Sequence, residues 1–149
     1  MRFACIAAVA VLAAAIPAAA KTPPSAMMAN VYRLTQASAV LAICFESAEF
    51  KALASNRATE LRDLNARLGD LIQGIAGHYR DDSLYVVYEN TRRQIASSGS
   101  LRLHVKNHYQ YCGERLASEM GKYVAENEAL INGWLEKQRP PPRITDAPR

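Results

Sequence analysis

From Val31 to Leu135 the apolar residues of this chain recur at intervals of three and four, and no long segment alternates apolar with polar residues. That period places side chains along one stripe of an α-helix, whereas a half-buried strand needs a period of two. Val31, Leu34, Ser38, Leu41 and Phe45 make a first stripe. Leu61, Leu64, Leu68, Leu71 and Ile75 make a second, and Leu84, Val87, Tyr88, Thr91 and Ile95 a third. Leu101, Val105, Cys112, Leu116, Met120 and Tyr123 begin a fourth, which continues through Leu130, Ile131, Trp134 and Leu135. Tyr85-Val86-Val87-Tyr88 is rich in β-formers, but its flanks keep the helical spacing. The expectation is an all-α fold. Four helices joined by short turns predict an up-and-down four-helix bundle.

Turn chemistry sets the expected boundaries. The first helix is expected over 27–53, with Ser55-Asn56 capping the second. Gly77 with His78 is the expected stop of that second helix. Glycines 69, 74 and 77 either admit a close neighbour or weaken the helix end, and the sequence does not choose between these. Asp81-Asp82-Ser83 opens the third helix, with acidic charge where the macrodipole favours it. Ser97-Ser98-Gly99-Ser100 is the next turn, with Gly99 suited to a helix C-terminus and Ser100 to the following cap. The last helix is expected to pass through Cys112 and to reach about Leu135, any break falling near Asn127.

The ends differ from the middle. Residues 1–20 combine Arg2, an apolar run from Phe3 to Ile16, Pro17 and the small residues Ala18-Ala19-Ala20, the signature of a cleavable secretion signal. A helix of roughly 14 residues spans about 21 Å, short of the about 30 Å of a bilayer core, so a signal fits better than an anchor. Cleavage is expected after Ala20, with no membrane contact afterwards. Residues 21–26 read as a leader, 27–137 as one helical bundle domain, and 138–149, with Pro140-Pro141-Pro142, as a Pro-rich disordered tail. The expected location is the periplasm or the exterior.

Export gives the cysteines their meaning. Cys5 leaves with the signal, so Cys44 and Cys112 remain as an even pair in an oxidising compartment, where a disulfide is the simplest outcome. On a chain-entropy argument, closing a loop of roughly 70 residues is worth roughly 4 kcal/mol. A redox pair needs a Cys-x-x-Cys spacing or an electropositive niche, and neither is visible. The bond is expected to join the first and last helices. Cys112-Gly113-Glu114 leads into no haem-attachment motif. A Met27 or Met28 with His104 or His108 haem pair would lie at opposite ends of a bundle clipped this way. No cofactor is expected.

Few residues suggest chemistry. Eighteen basic against fourteen acidic residues give a net charge of +4, spread without a block, so neither nucleic acid nor a membrane surface is implied. His104 and His108 share a helix face and could reach one metal ion, yet a zinc site needs three or four ligands. His78 and Glu114 are possible additions that no spacing compels. Arg92-Arg93 could grip an anion, although such pairs more often face water. Tyr85, Tyr88, Tyr109 and Tyr111 are the candidate partner-binding residues, because tyrosine offers large area with a polar tip at low entropic cost. The alternative is that these rings complete the core. No nucleophile elbow or glycine-rich loop appears.

Leu41-Ala-Ile-Cys44 and Tyr111-Cys112-Gly-Glu-Arg-Leu116, one cysteine early and one late, resemble in layout two kinds of small exported helical protein. These are periplasmic acid-stress chaperones and immunity proteins that block cell-wall amidases delivered by type VI secretion. The resemblance implies a non-enzymatic protein-binding module, inhibitor-like or chaperone-like, whose partner is another envelope protein. The competing readings are a small-molecule or metal carrier using His104 and His108, and an uncharacterised envelope enzyme.

Overall fold

A computed structural model describes residues 24–138, so the expected signal, the first half of the leader and nearly all of the tail lie outside the described residues. Among the described residues the fold is all-helical, and six helices stand where four were expected. They are α1 (Ser25–Glu46), α2 (Ala48–Lys51), α3 (Ser55–Tyr79), α4 (Ser83–Ala96), α5 (Gly99–Tyr109) and α6 (Glu114–Gln138). None is long and apolar enough to cross a membrane.

Helix α1 is the axis. Its middle is buried on nearly every side, Leu34, Ala39, Leu41 and Cys44 being 0 % exposed and Ile43 1 %. A helix that is apolar all round belongs inside other helices. Accordingly α1 packs against α3, α4 and α5. Ser38, which stands in the apolar stripe, is also fully buried. Its hydroxyl donates to Asn65 Oδ1 of α3 at 2.8 Å and accepts from the Tyr88 hydroxyl of α4 at 2.8 Å. One small polar residue thus ties three helices together with its hydrogen bonds satisfied, as burial demands.

Side-chain pairings give the helix directions. Ser38 meets Tyr88, and Ala42 and Glu46 share a recess with Arg92 and Ala96. Both partners advance together, so α1 and α4 run parallel. Arg67 pairs with Glu128, and Gly74 faces Leu135. Helices α3 and α6 are therefore parallel as well. Of its neighbours α1 lies most extensively on α4, and α6 on α3. Gly74 is the only one of the three α3 glycines whose added Cβ would meet a neighbour, Leu135 at an ordinary 3.7 Å. None of the three ends the helix. It continues until Tyr79 is buried and Arg80 turns left-handed at φ 52°.

Two breaks depart from the sequence expectation. The first helix ends at Glu46 because the Ser47 hydroxyl donates to the Cys44 carbonyl at 2.6 Å and accepts from Phe50 N–H at 3.2 Å. A serine that satisfies the local backbone this way competes with helix continuation. Short α2 then folds Phe50 onto Phe45, ring centroids 4.9 Å apart, under the Arg62 guanidinium.

The second break divides the expected last helix. Gln110 and Tyr111 are both left-handed, at φ 49° and 63°, a conformation that costs a side-chain-bearing residue about 1 kcal/mol or more. The reversal is held by Gln110 N–H to the Lys106 carbonyl at 3.0 Å and Gly113 N–H to the Tyr109 carbonyl at 2.8 Å. Cys112 therefore lies in the turn between α5 and α6, not within a last helix. There it bonds Cys44 with a Cα–Cα distance of 5.2 Å across a sequence separation of 68. The disulfide joins α1 to this turn.

Two predictions follow from this arrangement. Replacing both cysteines, Cys44→Ser with Cys112→Ser, is expected to lower unfolding free energy by about 4 kcal/mol, read from the urea midpoint. An unchanged midpoint would show that the turn is held without the bond. At Gly113 an added Cβ would stand 2.7 Å from the Tyr109 carbonyl oxygen. Gly113→Ala should therefore cost about 1–3 kcal/mol. Gly69→Ala, where nothing lies within 4 Å, should instead gain up to about 1 kcal/mol.

Candidate functional site

The reversal at Gln110-Tyr111 has a second effect. Helix α5 is left on α1, while α6 departs along α3. The two helices splay, and an open cleft of about 320 Å³ remains between them over α1. From α1 it is lined by Arg33, Gln36, Ala37 and Val40, and from α4 by Ile95. Leu101, His104 and Tyr109 of α5 face Met120 and Tyr123 of α6 across it. An unbroken last helix could not open this space. Its walls are largely apolar, formed by Ala37, Val40, Ile95, Leu101 and Met120, and small-molecule sites are commonly of this kind.

His104 reaches the cleft and stacks on His108, with ring centroids 5.1 Å apart and planes within 16°. In-plane lone pairs on nearly parallel rings do not converge on one ion. Among the described residues no group of three His, Cys, Asp or Glu side chains is placed to hold a metal. His78 packs against Tyr79 and Trp134 near the far end of α6. The two histidines flank Tyr109 instead, at 5.8 and 4.6 Å, both edge to face.

Below them Glu119 of α6 is a hub. Its Oε2 accepts from the Tyr109 hydroxyl at 2.9 Å and its Oε1 from Arg115 Nε at 2.8 Å, while His108 Nε2 stands 3.8 Å away. Arg115 first, then the Tyr109 hydroxyl, hold its carboxyl below the ordinary value. Burial pushes the Tyr109 phenol up, and Glu119 adds to that shift. This wall of the cleft therefore keeps a protonated phenol bonded to a carboxylate around neutral pH.

The candidate tyrosines are not gathered on one surface. Tyr88 is 3 % exposed and its hydroxyl is committed to Ser38; Tyr109 is 9 % exposed and committed to Glu119. Neither can present its ring to a partner, because each completes the packing between helices. Tyr85 is half-buried against Tyr88, ring centroids 5.5 Å apart, beside Gln73 and Asp82. Tyr111 is half-buried in the α5–α6 turn near Glu46 and Arg102. Arg92 and Arg93 both border the recess at the end of α4, where Arg92 also bonds Glu89 at 2.8 Å.

Two cleft residues escaped sequence reasoning. Arg33 lies off the apolar stripe of α1, where solvent was the default. Tyr123 lies on the α6 stripe and reads as core, yet its hydroxyl is buried without a hydrogen-bond partner among the described residues. Burial pushes its phenol up, and nearby Arg33 and then the Asn127 side chain draw it partly back. No family model matches the chain, and no curated protein or solved structure is similar to it. The geometry must carry the functional reading.

The Glu119 hub has a measurable signature. A carboxyl whose folded pKa is depressed adds stability that is complete above its ordinary value of 4.5 and is lost as pH falls through the lower folded value. Carboxyl NMR titration is expected to place Glu119 below its ordinary value of 4.5. Tyr109→Phe should move it back toward the ordinary range, and an unmoved Glu119 would show that Arg115 acts alone.

Proposed function

We propose that the mature chain is an exported, non-enzymatic binding protein of the periplasm that holds a small molecule in the cleft between α1, α5 and α6. The observation that carries this reading is the cleft itself, an opening of about 320 Å³ with Ala37, Val40, Ile95, Leu101 and Met120 on its walls. That volume falls at the small end of the range known for ligand sites. Its polar lining consists of Arg33, Gln36, His104, Tyr109 and Tyr123. Serine, threonine, cysteine and carboxylate are missing from that set. On this reading the alternating long helices act as a rigid up-and-down scaffold, and α5 is an added wall clipped in place by the disulfide. His104 contributes as a cleft residue, without a metal.

A protein-binding role, inhibitor-like or chaperone-like, is the second reading. The observation that favours it is the exposure of Val86 and Val87 side by side on α4, at 59 % and 53 %. Its contact would then lie on α4 and not on the four tyrosines.

Native mass spectrometry of the mature protein from its own envelope fraction separates the two. A small-molecule adduct is expected, beginning from a chain cleaved after Ala20. It should be lost in Leu101→Trp, which fills the cleft, with the helical circular dichroism retained. A co-purifying protein that survives Leu101→Trp and is lost with Val87→Asp would decide for the second reading.

A further inference from the structure

The polar groups of the cleft are chemically one-sided. Arg33 is exposed at its edge, and no carboxylate lies within ion-pair distance of it among the described residues. Every other arginine that forms an ion pair does so elsewhere, at Glu60, Glu128, Glu89, Glu46 or Glu119. No aspartate or glutamate lines the cleft. Glu119, which bonds the cleft residue Tyr109, is already held by Arg115 and that hydroxyl. The Tyr123 hydroxyl is the opposite case, buried and without a hydrogen-bond partner among the described residues, with the Asn127 side chain as its polar neighbour. Buried polar groups without partners are rare and call for an explanation. Arg33 and Tyr123 line the same cleft from α1 and α6, so an acceptor arriving between them would serve both.

We propose that the cleft takes a small amphipathic carboxylate, its alkyl or aryl body against Val40, Ile95, Leu101 and Met120 and its head received by Arg33 and the Tyr123 hydroxyl. This rests on the small-molecule reading above and deepens it. The planar guanidinium fork matches a carboxylate with two parallel hydrogen bonds. A phenol that stays protonated supplies a third donor. An ammonium head would meet Arg33 as a like charge, and a neutral alcohol would leave the guanidinium unused. The apolar walls supply affinity without regard to the head, while the two donors supply the selection.

Three ligands of one chain length test the head group by itself. Octanoate, octanol and octylamine are titrated calorimetrically at pH 7 into the mature, disulfide-intact protein. Octanoate is expected to bind about tenfold or more tighter than octanol, with octylamine the weakest. Arg33→Gln should bring octanoate to the octanol level and leave octanol unchanged, and Tyr123→Phe should weaken octanoate severalfold. Arg93→Gln removes the same charge elsewhere and should change neither ligand. Thermal melts of each variant confirm that the fold is kept, since Arg33 is on the surface and Tyr123→Phe keeps the ring. Octanol matching octanoate, octylamine binding best, or Arg33→Gln without effect would each overturn the carboxylate assignment and leave the small-molecule reading standing. No binding of any of the three to the folded protein would overturn both.

Discussion

The bond between Cys44 and Cys112 governs how the second half of the chain can be laid down. Cys44 is wholly buried near the end of α1, so its partner must come to it. A disulfide requires Cα atoms within about 7 Å, and the chain meets that by reversing at Gln110 and Tyr111. The reversal places two side-chain-bearing residues in the left-handed region, at a cost of about 1 kcal/mol or more each. A closed loop of this length returns roughly 4 kcal/mol, enough to hold the turn. Gly113 belongs to the same arrangement, because any side chain there would strike the Tyr109 carbonyl. From the reversal follow the separate courses of α5 and α6, and from their splay the cleft.

Against that clip stands the burial of α1. Eleven of its residues are buried, from Met27 to Cys44, and each large apolar one contributes about 1.5–3 kcal/mol on leaving water. The cross-helix ion pairs are smaller effects. Arg67 with Glu128 links α3 to α6, and Arg102 with Glu46 links α1 to α5. Both are substantially exposed, and such pairs are worth about 0–1 kcal/mol. Burial decides that the helices assemble, and the ion pairs help to select their register. The hydrogen bonds from Tyr88 through Ser38 to Asn65 act more strongly on register, since a slip would leave buried donors without partners.

The cleft and its Glu119 wall are opposite electrostatic situations built from similar groups. On the wall a phenol, a guanidinium and a carboxylate satisfy one another. Across the cleft a phenol and a guanidinium stand without the carboxylate. The mutual placement of Tyr109, Arg115 and Glu119 on either side of one turn shows how this chain completes such a set internally. Among the described residues Arg33 and Tyr123 are the same set without its anionic member, which on the proposed reading a ligand would supply.

The helical class, the positions of α3 and α4, the pairing of the cysteines and most of the core on the first two apolar stripes were legible in the residues, whereas Val87 and Leu130, on the third and fourth stripes, are exposed. They depend on local spacing and on chain parity, both of which are carried by neighbours in sequence. The Asp81 cap was legible for the same reason, its Oδ1 accepting from Ser83 N–H at 3.1 Å. The break at Gln110 was not, because neither Gln110 nor Tyr111 carries the glycine that usually marks a left-handed turn. It exists because a bond across 68 positions makes it worthwhile. For Tyr88 and Tyr109 the residues left a partner-binding and a core reading open, and only the neighbouring helices, by supplying Ser38 and Glu119, turned them inward. Arg33 and Tyr123 are ninety positions apart with no shared motif, and they meet only because α6 leaves α5 and returns along the bundle. Periodicity and turn chemistry are properties of adjacent residues, whereas a cleft is a property of helices that fail to close, and that was decided in three dimensions.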